Sequence, residues 1–427
     1  MKRPAWLPDL ARLAGRRAAA APPSRAALLT PREAPLPFDW LLLLAVLVLA
    51  AGGTVMVYSA SAIQAARQLG DEFFFLKRQA FALFVGLALL TVTLKLGYRR
   101  LAAWAYPLLG LSLLALVLVL IPGVGRVAGG ARRWINLGVL NFQPAELAKV
   151  VLVLYLAHSL SRKRDKVRLF SIGFLPHLIV TGLMVVLCLF ERDMGTGVIM
   201  MLVLFAMLFA AGARVSWLVG LVLVSIPVGW KLIAGTPYRL ERWRAYLDPW
   251  GYRDGTGFQL VESLLGIGNG GLFGQGLGQG KGKLFYLPAA HTDFIAAVIA
   301  EETGLLGIAV LLLLYGVLVW RGLRASLRAA EPFGAYLALG FTTLLGGQAL
   351  VNLAVVFGLL PTKGLTLPFV SYGGSSLMTL LGAAGVLLAV SGDRGGYLRE
   401  PQGAVRSATG GGRTVRFGAV PSVEASP

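Results

Sequence analysis

The stretch HTDFIAAVIAEETGLLGIAVLLLLYGVLVW, residues 291–320, joins a polar approach to an apolar run from Phe294 to Trp320. About 20 apolar residues in a helix cross the hydrocarbon of a bilayer, so the run predicts a membrane span. Asp293 stands at its mouth, and Glu301 and Glu302 lie two turns further in. Ionisable groups at membrane depth are costly and mark functional sites by default.

Nine more runs of this kind flank it, at 40–60, 78–96, 101–121, 144–160, 171–190, 196–212, 215–234, 334–358 and 370–391. The 427 residues are 56% hydrophobic and only 14% charged, against about 25% charged in a soluble domain. The chain therefore reads as an all-α polytopic membrane protein of about ten transmembrane helices. Its organisation is a basic tail (1–38), a ten-helix region (39–393) holding a large outer loop (235–291), and a Gly- and Arg-rich tail (394–427). Both tails are expected to be disordered. The first run ends in Ala60-Ser61-Ala62, which mimics a signal cleavage site, but it is longer than a signal core of roughly 7–15 residues. It reads as a retained helix. The lone Cys188 makes no internal disulfide and suits apolar packing.

The net charge of +20 invites a nucleic-acid reading, which its placement argues against. With both termini cytoplasmic, 24 of the 40 Lys and Arg residues fall on the inner side. Loops rich in Lys and Arg on one face are the positive-inside signature. The excess charge then meets anionic lipid headgroups.

The outer loops hold the remaining signals. Residues 122–141 set Arg132, Arg133 and Trp134 on a glycine-rich frame. This suits an anionic headgroup or a plain interfacial anchor, and a basic loop on the outer face favours the first. Glu146 and Lys149, three apart at the start of a helix, suit an internal ion pair at least as well as catalysis. In Glu191-Arg192-Asp193 a local ion pair is slightly preferred to a carboxylate facing Asp293. Residues 238–250 space Arg239, Arg242, Trp243 and Arg244 as a helix lying in the membrane plane. Gly266, Gly268 and Gly271 match G-x-G-x-x-G, but no strand precedes them, and no Walker pattern follows. The segment reads as a flexible loop that brings Lys281 and Lys283 near a bound anion. Pro361 to Gly374 break regular helix, and such backbone at depth lines a cavity or is buried in protein.

His291-Thr292-Asp293-Phe294 followed by Glu301-Glu302-Thr303-Gly304 resembles the SEDS family of bacterial shape, elongation, division and sporulation proteins. So do Arg133-Trp134-Ile135, Gln143-Pro144-Ala145-Glu146 and Pro368-Phe369-Val370-Ser371-Tyr372-Gly373-Gly374-Ser375-Ser376. Thr362-Lys363-Gly364-Leu365-Thr366 and the long N-terminal tail look like the family's division branch rather than its elongation branch. The resemblance implies ten helices in the bacterial cytoplasmic membrane, at the division septum. It implies a peptidoglycan glycosyltransferase that polymerises lipid II beside a class B penicillin-binding protein and other divisome proteins. The family's essential acid falls on Asp293 and its important tryptophan on Trp134. Two positions depart from the pattern, Ala289 and Gly280, where the family often has Glu and Ser. The motifs further place His291, Glu301, Lys363, Ser371 and Tyr372 among substrate-binding candidates, with Arg132, Arg133, Trp134, Glu146, Lys149, Lys281 and Lys283.

One displacement that inverts the anomeric carbon needs one base, unlike the paired carboxylates of a retaining hydrolase. Asp293 is the expected base. Countercharge for the leaving diphosphate is expected from Arg132, Arg133, Lys281, Lys283 or Lys363, with Arg133 and Lys363 foremost. Mg²⁺ or Mn²⁺ is an option that no ligand cluster demands. Two rival classes are a flippase for the lipid-linked precursor and a scaffold that only recruits a transpeptidase. A lone Asp at a helix mouth is also a common cap.

Overall fold

A computed structural model of the chain describes residues 38–128, 130–136, 138, 141–280 and 290–393. The two expected tails, Lys281 and Lys283 lie outside the described residues. The first three helices are α1 (Trp40–Leu69), α2 (Phe74–Leu96) and α3 (Tyr98–Leu120). A three-stranded antiparallel sheet follows: β1 (Gly125–Ala128), β2 (Ala131–Asn136) and β3 (Asn141–Phe142). Next come α4 (Pro144–Arg162), α5 (Phe170–Phe190), α6 (Met194–Ala210) and α7 (Val215–Ala234). Two short helices, α8 (Pro237–Leu247) and α9 (Phe258–Gly270), occupy the large loop. The chain closes with α10 (Ile295–Arg328), α11 (Pro332–Val356) and α12 (Gly374–Ser391).

Among the described residues nine helices are long and apolar enough to cross a membrane, and α6, at 17 residues, is the shorter tenth apolar helix. The helices fall on the ten predicted runs because nothing but a helix satisfies its own backbone across lipid. The spans are unequally enclosed. Helices α4, α11 and α12 are mostly surrounded by protein, whereas α7 is almost wholly exposed. The least apolar span is α4. Packed among protein, it tolerates Glu146 and Lys149, which would not survive facing lipid. Small residues let neighbours close up: Gly86 and Gly385 bring α2 and α12 together, and Thr93 donates to the Gly382 carbonyl at 3.0 Å.

Charged residues fix the ends. Asp39 caps α1 and pairs with Arg321 near the end of α10. Arg99 at the start of α3 bridges Glu331, before α11, at 2.9 Å and Asp393, after α12, at 3.0 Å. The start of α10, with Asp293, therefore lies at the opposite end of the bundle.

Expected to be a flexible loop, the glycine segment is instead tied down over residues 271–276. Helix α10 breaks at Gly304, whose φ of 67° is left-handed. Residues 271–276 hydrogen-bond across the break. Gln275 and Gly276 amides donate to the Glu301 and Glu302 carbonyls at 2.9 and 3.0 Å. The Leu305 and Leu306 amides donate to the Gly271 and Leu272 carbonyls at 2.9 and 3.2 Å. The loop supplies the partners that the broken helix lacks, as apolar surroundings require.

Candidate active site

A cleft of about 940 Å³ opens at the Asp293 end of the bundle. Its walls are β2, the α5–α6 turn, the α7–α8 junction, the start of α10 and the loop that carries Lys363. Side chains alternate along a strand. In β2 this sends Ala131 and Arg133 to the cleft, which Trp134 also lines. Arg132 turns away, and its Nη1 donates to the Leu120 carbonyl at 3.4 Å.

The Arg133 guanidinium is clamped. Its Nε donates to the Glu191 carbonyl at 3.0 Å and its Nη2 to the Arg192 carbonyl at 3.1 Å. Glu191 is fully buried, and neither of its carboxylate oxygens has a hydrogen-bond partner among the described residues. Burial pushes its carboxyl up to about 8, Asp193 adds to this, and Arg133 pulls against it. Glu191 is therefore protonated at neutral pH and leaves the charge of Arg133 available to the cleft.

The expected ion pair of Arg192 with its acidic neighbours does not form. Arg192 turns to the Gly130 carbonyl at 3.0 Å. Asp193 caps α6 instead: it accepts from the Thr196 amide at 3.0 Å, the Thr196 hydroxyl at 2.9 Å and Gln143 at 3.1 Å. Its carboxyl also lines the cleft, as the less favoured expectation had it. Helix α8 contributes Arg239 and Arg242. Arg242 lies over the Tyr238 ring at 4.5 Å and reaches the Thr362 carbonyl at 3.5 Å. Lys363 is half-buried in the opposite wall, and burial lowers its pKa.

Asp293 is not a helix cap. The residue at the N-cap of α10 is Phe294, with no side-chain cap bond. The half-buried Asp293 carboxyl faces the cleft. Burial lifts it to about 6; Arg133 and Arg242 hold it down, and Asp193 pushes it up. It remains mostly ionised at neutral pH, and it does so through arginine charge rather than through the helix dipole alone. Gly364 lies between it and Arg133. A methyl at Gly364 would sit 3.3 Å from the Asp293 Oδ2 and 4.0 Å from the Arg133 Nη1. We expect Gly364→Ala to crowd this gap and reduce turnover by about 10²-fold without lowering the melting temperature; an active Gly364→Ala enzyme would show that the gap holds no reacting group.

Asp293, Arg133, Trp134 and Lys363 thus meet in one cleft, joined by Arg192, Asp193, Arg239 and Arg242. The other candidates among the described residues do not line it. Glu146 and Lys149 form a buried pair at 3.0 Å, and Lys149 also donates to Gln348 at 2.7 Å. His291 packs between Phe75 and Tyr372, with centroids at 4.6 and 5.6 Å. The Tyr372 amide donates to the His291 carbonyl at 2.9 Å, and the Ser371 hydroxyl to the Thr292 carbonyl at 2.6 Å. Glu301 faces the glycine segment, its Oε2 lying 3.0 Å from where a Gly280 methyl would be. Of these, Ser371 and Tyr372 hold the 291–292 backbone just before Asp293. Arg239 and Arg242 were visible in sequence only as a basic amphipathic segment. Asn352 and Gln348, treated below, gave a plainer signal: two amides four residues apart in an apolar run.

Membrane-length helices around a cleft with five cations and a carboxylate that caps no helix define a multi-pass membrane protein with a cationic cleft. Residues 39–395 match the family described as cell cycle protein, which groups FtsW, RodA and SpoVE, and the chain belongs to it. It is 48% identical over 354 residues to the probable peptidoglycan glycosyltransferase FtsW of Geobacter sulfurreducens, covering 83% of this chain and 95% of that one. It is 42% identical over 355 residues to stage V sporulation protein E of Bacillus subtilis, covering 83% and 96%. Among solved structures it resembles a chain of a peptidoglycan synthase complex that coordinates polymerization and crosslinking (36% identity, TM-score 0.69, 83% of this chain and 98% of that chain). It also resembles the rod shape determining protein RodA of Thermus thermophilus (35% identity, TM-score 0.63, 84% and 98%).

Proposed function

We propose that this cleft performs the transfer step of a peptidoglycan glycosyltransferase, with Asp293 as general base. The observation that carries the reading is one carboxylate, Asp293, that caps no helix and faces several cations in a single cleft. Asp293 takes the proton from the 4-hydroxyl of the acceptor sugar. That oxygen bonds to the anomeric carbon of lipid II, and the bond from this carbon to the diphosphate breaks. The electron pair leaves with undecaprenyl diphosphate, and an α-linked donor becomes a β-1,4 glycan. Arg133, Arg239, Arg242 and Lys363 neutralise the departing diphosphate, where fixed charge in a partly desolvated site acts most strongly.

For a bound Mg²⁺ or Mn²⁺ the donor set is poor. The described residues hold no group of three His, Cys, Asp or Glu side chains able to bind a metal, and Asp193 is committed to capping α6. No step here runs through a metal. Septal synthesis with a class B penicillin-binding protein and divisome partners is supported by the FtsW-named relatives and by the similar chain of a synthase complex. The membrane is then the bacterial cytoplasmic membrane.

The test is purified protein with a cognate class B partner and labelled lipid II in detergent. Glycan strands and released undecaprenyl diphosphate are expected. The base is active when deprotonated, so the rate should fall as pH drops through about 6. Translocation of lipid II in vesicles without glycan growth would make the protein a flippase instead.

A further inference from the structure

Asn352 lies on α11, buried at 1% exposure in an apolar run. Both hydrogens of its amide nitrogen are used. One is donated to the Asp293 backbone carbonyl at 2.9 Å, the other to the Leu365 carbonyl at 2.6 Å. Its own Oδ1 has no hydrogen-bond partner among the described residues. One turn earlier on the same face, Gln348 donates to the Thr366 carbonyl at 2.8 Å while accepting from Lys149 at 2.7 Å. Two amides at i and i+4 share a helix face, and here they hold one loop from below.

The consequence lies in what Asn352 joins. Asp293 carries the carboxyl, and Leu365 is two residues beyond Lys363. The segments of the two side chains thus meet at a single amide group on α11. A polar group in such a place is expensive unless every donor is satisfied. Asn352 satisfies two carbonyls at the cost of its own oxygen.

We infer that Asn352 is a positioning residue: by bridging the Asp293 and Leu365 carbonyls it sets the distance between the carboxylate and the Lys363 wall of the cleft. The inference rests on the reading of Asp293 as the base. A base displaced by a fraction of an ångström from the attacking hydroxyl loses rate rather than affinity, because substrate binding is spread over the cations.

Three variants and two readouts test this. Asn352→Leu removes both donations at similar volume. Asn352→Asp keeps the shape and removes the N–H groups. Asn352→Gln keeps both N–H groups. The first readout is steady-state polymerisation of lipid II with the class B partner. Asn352→Leu and Asn352→Asp should lose about 30-fold in kcat with KM within about threefold, and Asn352→Gln should recover part of the loss. The second is hydrogen exchange in detergent, where segments 291–297 and 363–372 of Asn352→Leu should exchange about tenfold faster than in the parent. Parental kcat in Asn352→Leu, or a loss confined to KM, overturns the positioning role. Parental exchange at both segments overturns the bridge whatever the activity. A parent protein that makes no glycan removes the polymerase reading, which the exchange result does not depend on.

Discussion

Asp293→Asn should abolish glycan synthesis from lipid II while leaving expression, detergent solubility and melting temperature at parental values. The Asn side chain has almost the same shape and fits the same space. Its loss is confined to the ability to take a proton. Removing a general base reduces rate by roughly 10²–10⁴-fold. The carboxyl accepts no hydrogen bond from the described residues, and its closest charged influences are Arg133, Asp193 and Arg242. The substitution therefore leaves no buried partner unsatisfied, and burial of Asn in place of a charged group is easier, not harder. Binding of lipid II should persist or strengthen slightly, because one negative charge leaves a cleft that must accept a diphosphate. The decisive comparison is glycan product against bound lipid II for the same preparation. Undiminished polymerisation by Asp293→Asn would remove the base from this position.

Lys149→Met should have the largest effect on stability. Lys149 and Glu146 are 1% and 5% exposed, and their pair at 3.0 Å lies inside the bundle. Removing one partner of a buried pair strands the other charge, at about 3–5 kcal/mol. The Glu146 Oε2 already lacks a hydrogen-bond partner among the described residues, and none of them stands ready to receive the loss. The same substitution removes the donor to Gln348, which in turn holds Thr366. A thermal scan in detergent should show Lys149→Met well below the parent. The double replacement Glu146→Gln with Lys149→Met should recover most of the difference, since a neutral pair of similar volume carries no stranded charge. Equal melting of single and double replacements would show that a stranded partner charge does not account for the loss.

The helices were legible in sequence because lipid imposes a length and a composition on each, and Asp293, Arg133 and Lys363 were legible because they interrupt or flank those runs. What hid the rest is that the cleft is closed by contacts between distant segments. Arg242 reaches it from a helix that sequence places only in the membrane plane, since nothing local records that α8 folds over the Thr362 loop. Ser371 and Tyr372 sit in a motif that attracts attention, yet Ser371 is oriented toward the Thr292 carbonyl, and Tyr372 toward the His291 carbonyl and ring, behind Asp293. Glu146 and Lys149 show the ambiguity most plainly: spacing allowed an internal ion pair or a part in catalysis, and the packing of α4 among protein shows the pair, away from the cleft lining. The glycine segment misled because glycine signals freedom in isolation, whereas here it allows backbone to approach backbone.

That approach has a bearing on how the chain tolerates change. Four amide-to-carbonyl links tie residues 271–276 to the interrupted α10, and all of them are made by main chain. Spelling at Leu272, Phe273 and Gln275 is therefore open to variation, while the count of residues is not: adding or deleting a single one would slip every link out of register at once.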